Sequence, residues 1–256
     1  MLQARLIPNL LLRNGALVKT IKFKKFNYIG DPANTVRIFN ELKVDELVIL
    51  DITSSNNHCK QDLKCLKEIA KEAFMPLSYG GGIDCLDKAK KIFDLGYEKI
   101  VLNTHAVKNK KLITEIANIY GSQAIILSID YKKNFFGKKN VYINSGKINS
   151  KLDPIEWAKE AEKLGAGEIL LTSIDHEGTW GGFDYDTIGL ISKNISLPVI
   201  ANGGAGSLNH ILRALNDFGA SAVALGSMVV YQKKEFGVLI NFPDKKKIEE
   251  LLKKNN

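Results

Sequence analysis

The sequence is short of cysteine. Cys59, Cys65 and Cys85 are the only three among 256 residues, an odd number without Cys-x-x-Cys spacing. They read as reduced thiols of a cytoplasmic protein, which argues against a disulfide frame and against a zinc site. No run of eighteen apolar residues occurs, so no membrane-spanning helix is expected. Residues 1–5 pass straight into an apolar stretch without a small-residue cleavage site, so no secretory signal is expected. No dinucleotide-type glycine fingerprint follows the first apolar stretch, which weakens the case for a doubly wound open sheet. No cofactor and no metal is implied.

What is present suits a large core. Hydrophobic residues make up 45% and charged residues 25% of the chain, and the length fits one domain of barrel type, here residues 1–256. The net charge of +8 comes mainly from lysine. These lysines are spread over presumed helix faces and the basic C-terminal helix or tail, 244–256, so they read as a solvated surface with neither a nucleic-acid nor a membrane partner. Lysines in the first loop can still draw an anionic substrate.

Short β-type runs at 6–12, 46–51, 77–79, 99–103, 124–130, 168–173, 199–202 and 222–226 alternate with segments of helical apolar spacing, such as 86–95 and 208–218. Such alternation implies parallel strands with right-handed crossovers. An internal repeat points to closure. Pro76-Leu77-Ser78-Tyr79-Gly80-Gly81-Gly82 echoes Pro198-Val199-Ile200-Ala201-Asn202-Gly203-Gly204, and at the same offset Glu46-Leu47-Val48 echoes Glu168-Ile169-Leu170. Two half-barrels, about 1–120 and 121–240, give an α/β fold, a (β/α)₈ TIM barrel with no exposed sheet edge.

In such barrels chemistry sits at the C-terminal ends of the strands. Gly81 and Gly82 end the third strand and Gly203 and Gly204 the seventh; Asn103 and Thr104 end the fourth, Gly226 and Ser227 the eighth. Glycine lets backbone N–H groups approach a phosphate, and a hydroxyl at a helix start completes a cradle. Two matched cradles imply a phosphorylated small molecule carrying two separated anions. Tight turns are the structural alternative.

Arg5-Leu6-Ile7-Pro8-Asn9-Leu10, Gly30-Asp31-Pro32, Asp45-Glu46 through Thr53, Gly80-Gly81-Gly82-Ile83, Gly121-Ser122-Gln123-Ala124, Gly165 through Asp175 and Gly203-Gly204-Ala205-Gly206 together resemble the HisF cyclase subunit of imidazole glycerol phosphate synthase, over essentially the whole chain to about residue 230. The resemblance implies a HisH-like glutaminase partner at the N-terminal face of the barrel. Ammonia from that partner would pass through the barrel to a bisphosphorylated substrate at the mouth. It also implies an ammonia gate of four charges at Arg5, Glu46, Lys99 and Glu168, a match at Asp51, and substrate contacts from Lys19 on a mobile first loop and from Glu177 and Gly178.

The family's two general acid–base aspartates lie on strands one and five. Asp130 matches the second, but Leu11 stands where the first is expected. Leucine can neither donate nor accept a proton, and loss of a positioned acid–base group costs about 10²–10⁴-fold in rate. In the strand-six loop His176 replaces an arginine and reads as an exposed loop histidine. Residues 5–26 further resemble the WbuZ-type HisF-like paralogues, associated with amidation of surface-polysaccharide sugars by a separate ATP-using sugar amidotransferase. Three readings follow: an ammonia-conducting barrel for sugar amidation, a true cyclase subunit of histidine biosynthesis, or a non-catalytic scaffold that activates the glutaminase.

Overall fold

The computed structural model describes residues 5–53 and 61–254; Cys59 lies outside them. Eight parallel strands close into a barrel: β1 Arg5–Arg13, β2 Leu47–Asp51, β3 Leu77–Gly80, β4 Lys99–Leu102, β5 Ile125–Lys133, β6 Glu168–Ser173, β7 Val199–Asn202 and β8 Ala222–Leu225. Each pairs in parallel with the next, β8 pairs with β1 (Arg5 opposite Ala222), and β5 pairs with β6 (Glu168 opposite Ile126 through Ser173 opposite Tyr131). Expected and observed strand ends agree to within three residues.

Strand alternation creates two cores. On β1, Leu6, Leu10 and Leu12 face outward into the layer between strands and helices, where Phe39, Trp157 and Ile211 are also buried. Ile7 faces inward and joins Val48, Val101, Ile126, Leu170, Ile200, Ala222 and Ala224 in a separate apolar plug along the barrel axis. Several outer helices begin with side-chain caps that end the loops cleanly. Asp31 accepts from Asn34 N–H ahead of helix Pro32–Glu41, Asp153 from Ile155 and Glu156 N–H ahead of Pro154–Leu164, and Ser207 from His210 N–H ahead of Leu208–Asn216. An Asp-Pro start supplies both the acceptor and a ring already set at the helical φ. The basic C-terminal segment forms helix Lys245–Lys254, with Ile248 buried.

Two β-excursions at the mouth were not expected. β1 runs past the barrel rim and turns at Asn14-Gly15, both at positive φ, into strands Ala16–Ile21 and Lys24–Gly30. β5 likewise overruns its barrel register to pair with Lys139–Ile143, which pairs with Ile148–Asn149. Lys19 therefore sits in a paired strand, not on the mobile loop expected for it. No helix among the described residues is long and apolar enough to cross a membrane.

Candidate functional site

The inner face of β1 organises the site, because every second side chain points to the barrel axis. Arg5, Ile7, Asn9 and Leu11 rise in order from the barrel floor to its mouth.

At the floor, Arg5 Nη1 donates to Glu46 Oε1 at 2.8 Å and Nη2 to Glu168 Oε2 at 2.9 Å. Lys99 Nζ lies 2.5 Å from Glu168 Oε1 and 3.4 Å from Glu46 Oε2. Each base thus meets both acids, and the four charges cancel. Burial would favour the neutral forms, but hydrogen bonds from Arg5 and Lys99 hold the Glu168 carboxyl below the usual range, and Glu168 and Glu46 in turn hold the Arg5 guanidinium above its own. The sequence placed all four residues at strand starts, and the structure brings them into one ring. Above it lies the apolar plug.

At the other end opens a mouth cavity of about 620 Å³, lined by Asn9, Leu11, Lys19, Asp51, Gly81, Gly82, Asn103, Thr104, Asp130, Glu177, Gly178, Gly203, Gly204, Gly226 and Ser227, among others. Every residue expected at the mouth is therefore there. Asp130 is its central carboxylate. Oδ1 accepts from Ser128 Oγ at 3.0 Å, Oδ2 from Asn103 Nδ2 at 3.0 Å, and the Thr172 hydroxyl makes a third bond. Burial pushes its pKa up to about 6, against the pull of these donors and with a push from Glu177. Asn103 thus serves Asp130 directly, and Thr104 Oγ1 accepts from Asn144 N–H at 2.9 Å. Ser128 and Thr172 were missed in the sequence. The available signal was their spacing: Ser128 is two residues before Asp130, on the same inward face.

Leu11 lines the same cavity on the β1 side, and beneath it Asn9 is buried with an Oδ1 that has no hydrogen-bond partner among the described residues. Lys19 is only 4% exposed, and its Nζ donates to Asn9 O at 2.5 Å. Burial lowers its pKa to about 8, opposed by Glu177, so the ammonium persists at neutral pH. A Cβ on Gly226 would lie 2.7 Å from that nitrogen, so glycine there is what lets Lys19 reach across the end of β8. Gly204 has a different reason. At φ +113° its Cβ would lie 2.0 Å from Gly182 O, so close backbone packing demands glycine whether or not an anion binds.

The loop after β6 holds both excursions down. Glu177 Oε1 accepts from Thr20 Oγ1 and Oε2 from Phe23 N–H, each at 3.0 Å, while Asp175 Oδ2 accepts from Lys133 N–H at 2.9 Å. Burial raises the Glu177 pKa against these donors. His176 is half-buried, with Nδ1 2.8 Å from Ser173 Oγ, not the exposed loop histidine expected. Among the described residues no group of three His, Cys, Asp or Glu is placed to hold a metal ion.

Residues 5–235 match the family model described as histidine biosynthesis protein. The chain is 45% identical over 249 residues to the putative imidazole glycerol phosphate synthase subunit hisF2 of Pseudomonas aeruginosa, covering 97% of this chain and 99% of that protein. It is 41% identical over 252 residues to a putative HisF subunit of Leptospira interrogans, covering 98% and 99%. It is 44% identical over 233 residues to the imidazole glycerol phosphate synthase subunit HisF of a Hydrogenobaculum species, covering 91% and 92%. The chain belongs to the HisF family of imidazole glycerol phosphate synthase subunits.

Proposed function

We propose that this barrel receives ammonia from a glutaminase docked at its floor and delivers it at the mouth for amidation of a surface-polysaccharide sugar by a separate enzyme. The observation that carries this reading is Leu11. The mouth holds Asp130 with three hydrogen-bond partners on one side and an apolar side chain on the other. Cyclase chemistry of the family type calls for proton transfer at both places, and Leu11 offers none. The parts that ammonia handling needs are all present. The balanced ring of Arg5, Glu46, Lys99 and Glu168 guards the entrance, and the apolar plug above it disfavours ammonium relative to neutral ammonia. Phe74, 90% exposed in the loop that leads up into β3, and the exposed Leu42 give the floor apolar surface of the kind a partner covers.

At the mouth, Lys19 and the glycine-lined strand ends bind an anionic group, and Asp130, at a pKa of about 6, accepts a proton near neutral pH. A second reading, the true cyclase subunit, rests on the retained Asp130 and on the plain HisF name of the Hydrogenobaculum relative. The third, a scaffold, needs only the floor.

The test supplies the ribulosyl aminoimidazole substrate with saturating ammonia. Under the amidation reading turnover stays about 10²–10⁴-fold below a cyclase with both aspartates, and Leu11→Asp raises it. Turnover near that of a complete cyclase sinks the reading. Lys99→Met separates conduit from scaffold: a conduit loses glutamine-driven transfer and keeps transfer from free ammonia, whereas a scaffold keeps both.

A further inference from the structure

The mouth face carries apolar side chains that neither the cavity nor the core uses. β5 and its antiparallel partner Lys139–Ile143 project beyond the barrel rim, and at the tip Phe135 is 98% and Phe136 89% exposed, their rings 5.6 Å apart in an edge-to-face pair. The tip is held firmly. Asn134 Oδ1 accepts from Phe136 N–H at 3.0 Å and from Lys138 N–H at 2.9 Å, and Asn134 N–H donates to Lys138 O at 2.8 Å. Two phenylalanines are thus presented to solvent on an ordered turn, with Lys133 and Lys138 exposed beside them. A second tip stands beyond β8. Phe236 is 58% exposed with Lys233 Nζ 5.9 Å from its ring centre.

We propose that this face docks a second enzyme, an acidic-surfaced protein that takes ammonia from the mouth and seats Phe135 and Phe136 in an apolar recess; the inference rests on the amidation reading. Large rigid aromatics in a polar surround are the side chains that dominate protein–protein affinity. The charge of the occupant follows from the rim. Nearby lysines are exposed, while Asp175 and Glu177 are turned onto backbone N–H groups of the two excursions, so the face offers positive charge outward and asks for negative charge in return. The position follows from the opening. The two tips follow β5 and β8 in the chain, two strands that are not neighbours in the barrel. A lipid bilayer laid across them would seal the mouth from any water-soluble acceptor, whereas a protein can hold both tips and leave a passage.

The experiment uses the barrel with its glutaminase bound and, as probe, a purified ATP-dependent sugar amidotransferase. Phe135→Ser/Phe136→Ser is expected to weaken binding by about tenfold or more and to lower glutamine-driven amidation, while glutaminase binding and amidation from free ammonia stay unchanged. Lys133→Glu/Lys138→Glu is expected to weaken binding and flatten its salt dependence. If the unaltered barrel supports amidation and the phenylalanine variant matches it in affinity and transfer, the docking inference is overturned and the amidation reading stands. If the unaltered barrel neither binds the enzyme nor supports amidation, both fall. Binding to vesicles of phosphatidylglycerol and phosphatidylcholine that the phenylalanine variant loses, without binding to the enzyme, assigns the face to lipid and overturns the proposal.

Discussion

The two ends of the barrel handle charge in opposite ways. At the floor, two acids and two bases neutralise one another within one ring, and the Glu168 carboxyl is held below its ordinary range. At the mouth, Asp130 is surrounded by neutral donors and faces Leu11, and burial lifts its pKa to about 6. Lys19 is moved the other way, to about 8. Arg5 and Glu168 therefore keep their charges across the physiological range. The mouth changes charge on either side of it, with Asp130 ionised and Lys19 protonated together only between about pH 6 and 8. Mutual pairing suits a partition that must stay shut to ions, and isolation suits groups that must exchange protons.

This contrast can be broken at its strongest point first. Arg5→Met leaves Glu46 and Glu168 sharing Lys99 alone, and the expected loss is about 3 kcal/mol of stability, read from urea unfolding at pH 7. A loss below about 0.5 kcal/mol would mean the ring is solvated enough to tolerate an unpaired acid.

The mouth should respond with the opposite sign. The folded-state pKa of Asp130 is raised, so its contribution to stability is complete below its unfolded pKa of 3.8 and is lost as pH rises through about 6. Asp130→Asn is accordingly expected to be more stable than the unaltered protein at pH 7.5, by about 3 kcal/mol. The gain should shrink to nothing near pH 4, and equal stability of the two proteins at both pH values would remove Asp130 from the strained side of the comparison. Glu168, held low, behaves in reverse: its contribution is present above pH 4.5 and disappears as pH falls.

A smaller effect concerns the anion. Lys19→Met should weaken pyrophosphate binding at pH 7 about tenfold, or about 1.4 kcal/mol, by isothermal titration calorimetry. The unaltered protein should show the same loss as pH rises through about 8. Pyrophosphate affinity that ignores both changes would place the anion elsewhere. The smallest effect is expected at the hairpin tip: Phe135→Ser/Phe136→Ser should shift stability by less than about 0.5 kcal/mol, because neither ring packs on the core.

The barrel was legible because its two periodicities are strong. Apolar strand runs alternate with amphipathic segments, and the repeat places Gly81 and Gly82 opposite Gly203 and Gly204. The floor came from the family resemblance, and the positions agree with it, since Glu46, Lys99 and Glu168 each precede an apolar run. The first excursion was harder to read, because Lys24–Gly30 buries only Ile29 and shows no clean alternation. One sign of it was available: Asn14-Gly15 between two apolar runs is the strongest short hairpin signal a sequence carries. Burial of Lys19 and the pairing of Asn103 with Asp130 depend on which strand ends meet across the mouth. Neighbouring residues in the chain do not encode that.

One contact in the β6 loop has a kinetic consequence. A Cβ on Gly178 would lie 2.4 Å from Thr20 O, and the neighbouring Glu177 binds Thr20 and Phe23 while its carbonyl accepts from Lys22 N–H. The first excursion and the β6 loop are thus interlocked at a point where any larger residue would wedge them apart. They should open to solvent as one cooperative unit. The amides of Lys22 and Phe23 should then exchange with deuterium at a common rate, and bulk at position 178 would release both without touching the barrel beneath.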